Sequence, residues 1–120
     1  MKKIEAFIRH ECFEAIRAEL HAIGLPSLSI SDVFGSGRQA GLVEHYRGAT
    51  EVLTMRPKLK IEMVVADPDL ERALDVIVAH ARTGEIGDGK VFVFAVEEAV
   101  RIRTGERGQQ VVAAHEEVVA

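Results

Sequence analysis

Two stretches of helical period, each set between stretches of period two, constrain what this chain can fold into. Ile4, Ala6 and Ile8 alternate with Glu5 and Phe7, which predicts a strand over Lys3 to Arg9. Phe13, Ile16, Leu20 and Ile23 recur at helical spacing, and Gly24-Leu25-Pro26 ends that helix. Ser27 to Phe34 alternates again, and Lys58 to Ala66 gives a third strand. Asp67-Pro68 reads as a helix start, with an acid at the N-cap and proline in the first turn. Leu70, Ala73, Leu74, Ile77 and Ala81 form the second apolar stripe, and Lys90 to Val96 is the fourth strand. The order β-α-β-β-α-β predicts an α+β, ferredoxin-like sandwich.

Between the second and third strands, residues 35–56 are polar and glycine-punctuated. A connection of about twenty residues without a period suggests function more than linkage. The fourth strand, Val91 to Val96, is apolar on both faces, although both helices of this topology cover only one face of the sheet. The other face is expected to need cover, with Met63 and Val65, or Val64, adding to that need. Oligomerisation is therefore expected.

At 120 residues there is room for one domain. A net charge of −4 disfavours a general nucleic-acid binder. The single cysteine, Cys12, forms no internal disulfide, which suits a reducing cytoplasm, and it reads as a small apolar residue before the first helix. No run approaches the roughly 18 apolar residues of a membrane span, so membrane contact is expected only through a partner protein. His10, His21, His45, His80 and His115 have no zinc-site spacing, and no nucleophile–base pair stands out. The expectation is a protein that is not an enzyme, with no catalytic residues.

Two runs point to a polyphosphate. In Arg82-Thr-Gly-Glu-Ile-Gly-Asp-Gly-Lys-Val-Phe-Val-Phe94, Gly84 can close the helix, Gly87 and Gly89 let the backbone around Asp88 approach a ligand, and Lys90 sets a cation at the mouth. A tight strand start with no ligand is the alternative. In the second run, Arg101-Ile-Arg-Thr-Gly-Glu-Arg-Gly108, an extended backbone puts Arg101 and Arg103 on one face. Guanidinium pairs suit phosphate, although a solvated surface pair reads the same way.

These runs resemble the PII signal-transduction family. The likeness extends through Met1-Lys-Lys-Ile-Glu-Ala6, Gly35-Ser-Gly-Arg-Gln39, Tyr46-Arg-Gly-Ala49, Lys58-Leu-Lys-Ile-Glu62 and Ile102-Arg-Thr-Gly-Glu106. It covers Met1 to about Val112, which gives one domain over 1–112, with its long loop at about 37–55, and a tail over 113–120. The resemblance implies a homotrimer with sheets facing inward and competitive binding of ATP or ADP between subunits. It places Gly35, Gly37, Arg38 and the Gly87-Asp88-Gly89-Lys90 loop on one side of the nucleotide, and Arg101 and Arg103 on the phosphates from the next subunit. Phe7, Ser29, Glu62 and Val64 fall where the family lines the adenine pocket. Gln39 falls where the family ligates Mg²⁺, and with Lys58 and Gly41 marks the 2-oxoglutarate site. Tyr46, Arg47 and Glu51 lie on the partner-binding loop, which in relatives meets an ammonium transporter or a nitrogen-metabolism enzyme.

There are departures. Glu51 replaces the tyrosine that is uridylylated in many members, and Ala49 replaces a serine that some phosphorylate. Thr50 and Tyr46 are the remaining hydroxyl acceptors there. Arg9-His10 replaces the usual Lys-Pro, and Ala40 a common lysine. The expected function is a cytoplasmic regulator that senses ATP, ADP and 2-oxoglutarate. The alternatives are a divergent adenine-nucleotide sensor with another effector or partner, and a slow ATPase on the same cleft.

Overall fold

A computed structural model of the chain describes residues 1–35 and 55–114. The sequence of elements is β1 (Lys2–Ile8), α1 (Phe13–Ala22), β2 (Ser29–Gly35), β3 (Arg56–Val65), α2 (Leu70–Ala81) and β4 (Lys90–Ala95). Short 3₁₀ turns, His10–Cys12 and Asp67–Asp69, lead into the two helices. The strands form one antiparallel sheet in the order β2-β3-β1-β4. This is the predicted ferredoxin-like arrangement.

The period-two pattern sorts the sheet's faces. Ile4, Ala6 and Ile8 of β1 and Leu59, Ile61, Met63 and Val65 of β3 are buried. They meet Ile16 and Leu20 of α1 and Ala73, Ile77 and Ala81 of α2. Among these, the larger side chains Ile4, Ile16, Leu20, Ile61, Val65 and Ile77 have no solvent exposure. Burying one such side chain contributes about 1.5–3 kcal/mol, so this layer dominates stability. Cys12 belongs to the same cluster as a buried free thiol, as its apolar reading expected.

The open face differs from expectation. Met63 and Val65 point to the core, and Val64 lies on the other side, paired with Lys3. The centre of that face is charged: Lys3 Nζ lies 2.9 Å from both Glu5 and Glu62, and Lys60 Nζ 3.3 Å from Glu62. The exposed Phe92 and Phe94 flank this cluster, paired with Glu5 and Lys3, and Phe7 meets Phe92 edge-on at 6.1 Å between ring centroids. The apolar excess of β4 is therefore a rim around an ion-paired centre.

Two helix-end expectations are corrected. Asp67 does not cap α2; its carboxylate takes the amino-terminal group of Met1 at 2.8 Å, and the 3₁₀ turn starts from Ala66 without a side-chain cap. Gly84 does not close α2, because the helix ends at Ala81 and Arg82 already leaves it in extended conformation. Strand limits shift by one or two residues. β2 starts two residues later, at Ser29, and β3 two residues earlier, at Arg56, so that it takes in Pro57. Proline is tolerated there because β1 pairs with β3 only from Leu59 onward, so Pro57 has β2 alone beside it.

Candidate functional site

The segment joining α2 to β4 is folded around one carboxylate. Asp88 accepts the backbone N–H of Thr83 at 2.8 Å and of Gly84 at 2.9 Å. It also accepts the Thr83 hydroxyl and, at 3.3 Å, the Nε–H of Arg9. The Thr83 hydroxyl, the Thr83 and Gly84 amides and the Arg9 guanidinium together hold the Asp88 carboxyl far below the usual carboxylate range. Gly84, Gly87 and Gly89 all have positive φ. At Gly89 this is compulsory, because a Cβ would lie 1.7 Å from the carbonyl oxygen of Phe7. The close approach expected of a ligand here is made by the chain's own β1.

Two cations, one just past the end of β1 and one on β3, face this loop. Arg9 Nη2 donates to the Ile86 carbonyl at 3.1 Å, and Lys58 Nζ donates to the Gly87 carbonyl. Both lie near the point where a Gly87 Cβ would stand, 3.3 Å away for Arg9 and 3.8 Å for Lys58. Desolvation, then the nearby Arg9 charge, pulls the Lys58 ammonium below the ordinary lysine range. Lys58 is thus more than a solvated charge; it sits part-buried beside a second cation.

Lys90 starts β4 opposite Phe7 on the open face. With Phe7, Gly89, Arg82, Ile77 and Ala81 it lines a cleft of about 390 Å³ that opens at the β4 edge. Glu62 and Ser29 are cross-strand partners one row further along the sheet, and Val64 lies beyond them. The Glu62 carboxylate is already held by Lys3 and Lys60, which lower its pKa.

The arginine run is not extended. Residues 102–104 form a turn, closed by the Gly105 N–H on the Arg101 carbonyl at 2.7 Å and the Arg101 N–H on Glu106 at 2.8 Å. Gly105, at φ 75°, allows this reversal, so the alternation argument for Arg101 and Arg103 fails. Arg101 instead pairs with Glu106 at 3.0 Å, Arg103 is exposed, and Ile102 at the tip is 99% exposed.

Apart from Ser29, Glu62 and Val64 further along the sheet, the expected residues that are described fall into two groups. Phe7, Gly35, Lys58, Gly87, Asp88, Gly89 and Lys90 gather at one end of the sheet, where β1 and β2 finish and β4 begins. Arg101 and Arg103 belong to the other end, where the Val96 N–H meets the Met1 carbonyl. The length of β4 alone separates these ends by about 17 Å at ~3.3 Å per residue. Gly37, Arg38, Gln39, Gly41, Tyr46, Arg47 and Glu51 lie outside the described residues.

Sequence reasoning missed Thr83 as a partner of Asp88 and treated Arg9 only as a departure. A hydroxyl residue five positions before an aspartate, in a stretch with three glycines, was the available signal for Thr83. It also missed the partner of His10, whose Nε2 lies 2.6 Å from Asp32 Oδ1 and ties the first turn to edge strand β2.

A ferredoxin-like sandwich with a carboxylate-folded glycine loop at one sheet end and an arginine turn at the other defines the class. A family model described as "Nitrogen regulatory protein P-II" matches residues 1–106. The chain is 52% identical over 108 residues to the nitrogen regulatory protein P-II of Rhodospirillum rubrum, covering 90% of this chain and 96% of that one. It is 49% identical over 112 residues to the protein of that name from Cereibacter sphaeroides, with 93% and 100% covered. It is 46% identical over 112 residues to nitrogen regulatory protein P-II 2 of Methanothermobacter thermautotrophicus, with 93% and 97% covered. The chain belongs to the nitrogen regulatory protein P-II family.

Proposed function

We propose that this protein is a signal-transduction regulator of nitrogen metabolism that senses ATP or ADP together with 2-oxoglutarate. Its nucleotide sites lie between the subunits of a homotrimer. The observation that carries this reading is the separation of its cations. Lys90 and the glycine loop stand at one end of the sheet and the Arg101–Arg103 turn at the other. A single copy cannot close both on one triphosphate, whereas a neighbouring copy can bring its arginine turn to the first copy's loop. Arginine forks and a lysine point charge together suit polyphosphate.

Lys58 takes a carboxylate of 2-oxoglutarate, with Gln39 and Gly41 completing that end. Its part-buried, desolvated ammonium gives an incoming anion a charge to neutralise. Mg²⁺ is held by the nucleotide phosphates and Gln39, which suits an ion that keeps few protein ligands. Asp88 is unsuited as a ligand, since its carboxylate already accepts four hydrogen bonds. Tyr46, Arg47 and Glu51 present the partner surface to an ammonium transporter or a nitrogen-metabolism enzyme, and Glu51 cannot itself be uridylylated.

Calorimetric titration of ATP and ADP, with and without Mg²⁺ and 2-oxoglutarate, tests this. The expected result is nucleotide binding by both, with 2-oxoglutarate binding only alongside MgATP. Nucleotide binding without any 2-oxoglutarate response points instead to a divergent adenylate sensor, for which Arg9-His10 is the nearest departure. Steady ATP turnover faster than effector exchange would favour the slow ATPase.

A further inference from the structure

The loop from Thr83 to Gly89 has little reason to hold one shape. It carries three glycines at φ 89°, 102° and 106° and no regular secondary structure. Glycine loses more conformational freedom on ordering than any other residue, so an unsupported loop of this kind is mobile. What orders it is the set of donors gathered on Asp88: two backbone N–H groups, one hydroxyl and one guanidinium. All of these come from this chain, so the carboxylate is spent inside the loop.

Arg9 acts as a strut from the end of β1. Its Nε reaches Asp88 and its Nη2 reaches the carbonyl of Ile86, so one planar fork spans the loop's tip. Gly87 between them is held by Lys58, and Gly89 is pressed onto Phe7. Ile86 and Asp88 are thereby tied to Arg9 just past β1, Gly89 rests on β1 itself, and Lys90 leaves from that point opposite Phe7.

We infer that the Asp88 carboxylate positions the nucleotide site, acting through the loop it folds rather than as a ligand group itself, with Arg9 as its strut. This rests on the nucleotide reading above. On this inference Lys90 is set in place beside Lys58 by the loop that Asp88 folds, and the part-buried Arg9–Asp88 pair ties that loop to the end of β1. Asparagine at 88 keeps the shape but offers N–H groups where Arg9 or Thr83 also donate, so one of those contacts turns repulsive.

The test is calorimetric titration of ATP into the full chain as wild type, Asp88→Asn, Lys90→Ala and the double variant, with thermal melts of each. Asp88→Asn is expected to weaken ATP at least tenfold at a temperature where it remains folded. Asp88→Asn is expected to add little once Lys90 is already alanine, because a positioning residue acts through the groups it places. Unchanged affinity in Asp88→Asn, or effects that simply add, overturns the inference. Should Asp88→Asn fail to fold, Thr83→Val decides instead: at least threefold weaker binding with an unaltered melt supports it, and unchanged binding overturns it. A wild type that takes no ATP sinks the nucleotide reading itself, and with it any ligand for Asp88 to serve.

Discussion

The α-carbon of Gly89 packs so closely on the Phe7 carbonyl that a single methyl would sit 1.7 Å from that oxygen. The contact is backbone on backbone, so no side-chain rotation relieves it. The φ of 106° adds strain for any L side chain. Gly89→Ala is expected to cost about 3 kcal/mol or more in urea unfolding. A loss below about 1 kcal/mol would mean that β1 and the loop are not in register as described.

Lys90 and Arg103 are exposed and outside the buried cluster, so each should be removable without harm to the fold. Lys90→Ala and Arg103→Ala are each expected to weaken ATP by about 1.5–3 kcal/mol, the range for hydrogen bonds to charged groups. Melting temperatures should stay within a few degrees of wild type. Undiminished affinity in either variant removes that residue from the phosphate site.

Lys58→Ala separates the two ligands. The residue binds the Gly87 carbonyl and faces the loop from β3, apart from Lys90 on the edge strand β4. The variant is expected to lose the 2-oxoglutarate response and to keep ATP binding. If both disappear together, the two sites do not divide as proposed.

Acid should expose the role of Asp88. Its pKa is depressed in the folded chain, chiefly by the Thr83 hydroxyl and amide. A depressed carboxyl stabilises the fold above its unfolded value, here the ordinary 3.8, and that contribution is lost as pH falls toward the folded value. The stability gap between wild type and Asp88→Asn, followed by urea unfolding, should be constant from pH 7 to about 5 and shrink below about 4. A gap that does not change with pH would mean that the Asp88 charge does not support the loop.

The elements were legible because each is written in a single period. Ile4-Ala6-Ile8 and Leu59-Ile61-Met63-Val65 specify the buried face of the sheet, and the two stripes specify the helices that cover it. What stayed hidden depends on contacts distant in sequence. Asp67 had the right place for a cap, but the Met1 amino group, 66 residues away, competes for its carboxylate. Arg101 and Arg103 looked extended because alternation was the only rule available. Gly105 and Glu106 turn the chain back there instead. Arg9 gave no local sign that it holds a loop 77 to 79 residues later. Of the site itself, the glycine loop and its lysine were readable as a phosphate-suited turn. The carboxylate-centred fold that shapes the loop was not.

The placing of Lys90 and the arginine turn at opposite ends of one sheet has a genetic consequence. If each cleft draws its loop from one copy and its arginines from the next, a defect in either half leaves the other half intact in the same polypeptide. Two alleles, one lacking Lys90 and one lacking Arg103, would each be silent alone. Expressed together they would assemble mixed rings in which some clefts pair a sound loop with a sound arginine turn, and the cell would regain part of its signal from two broken copies.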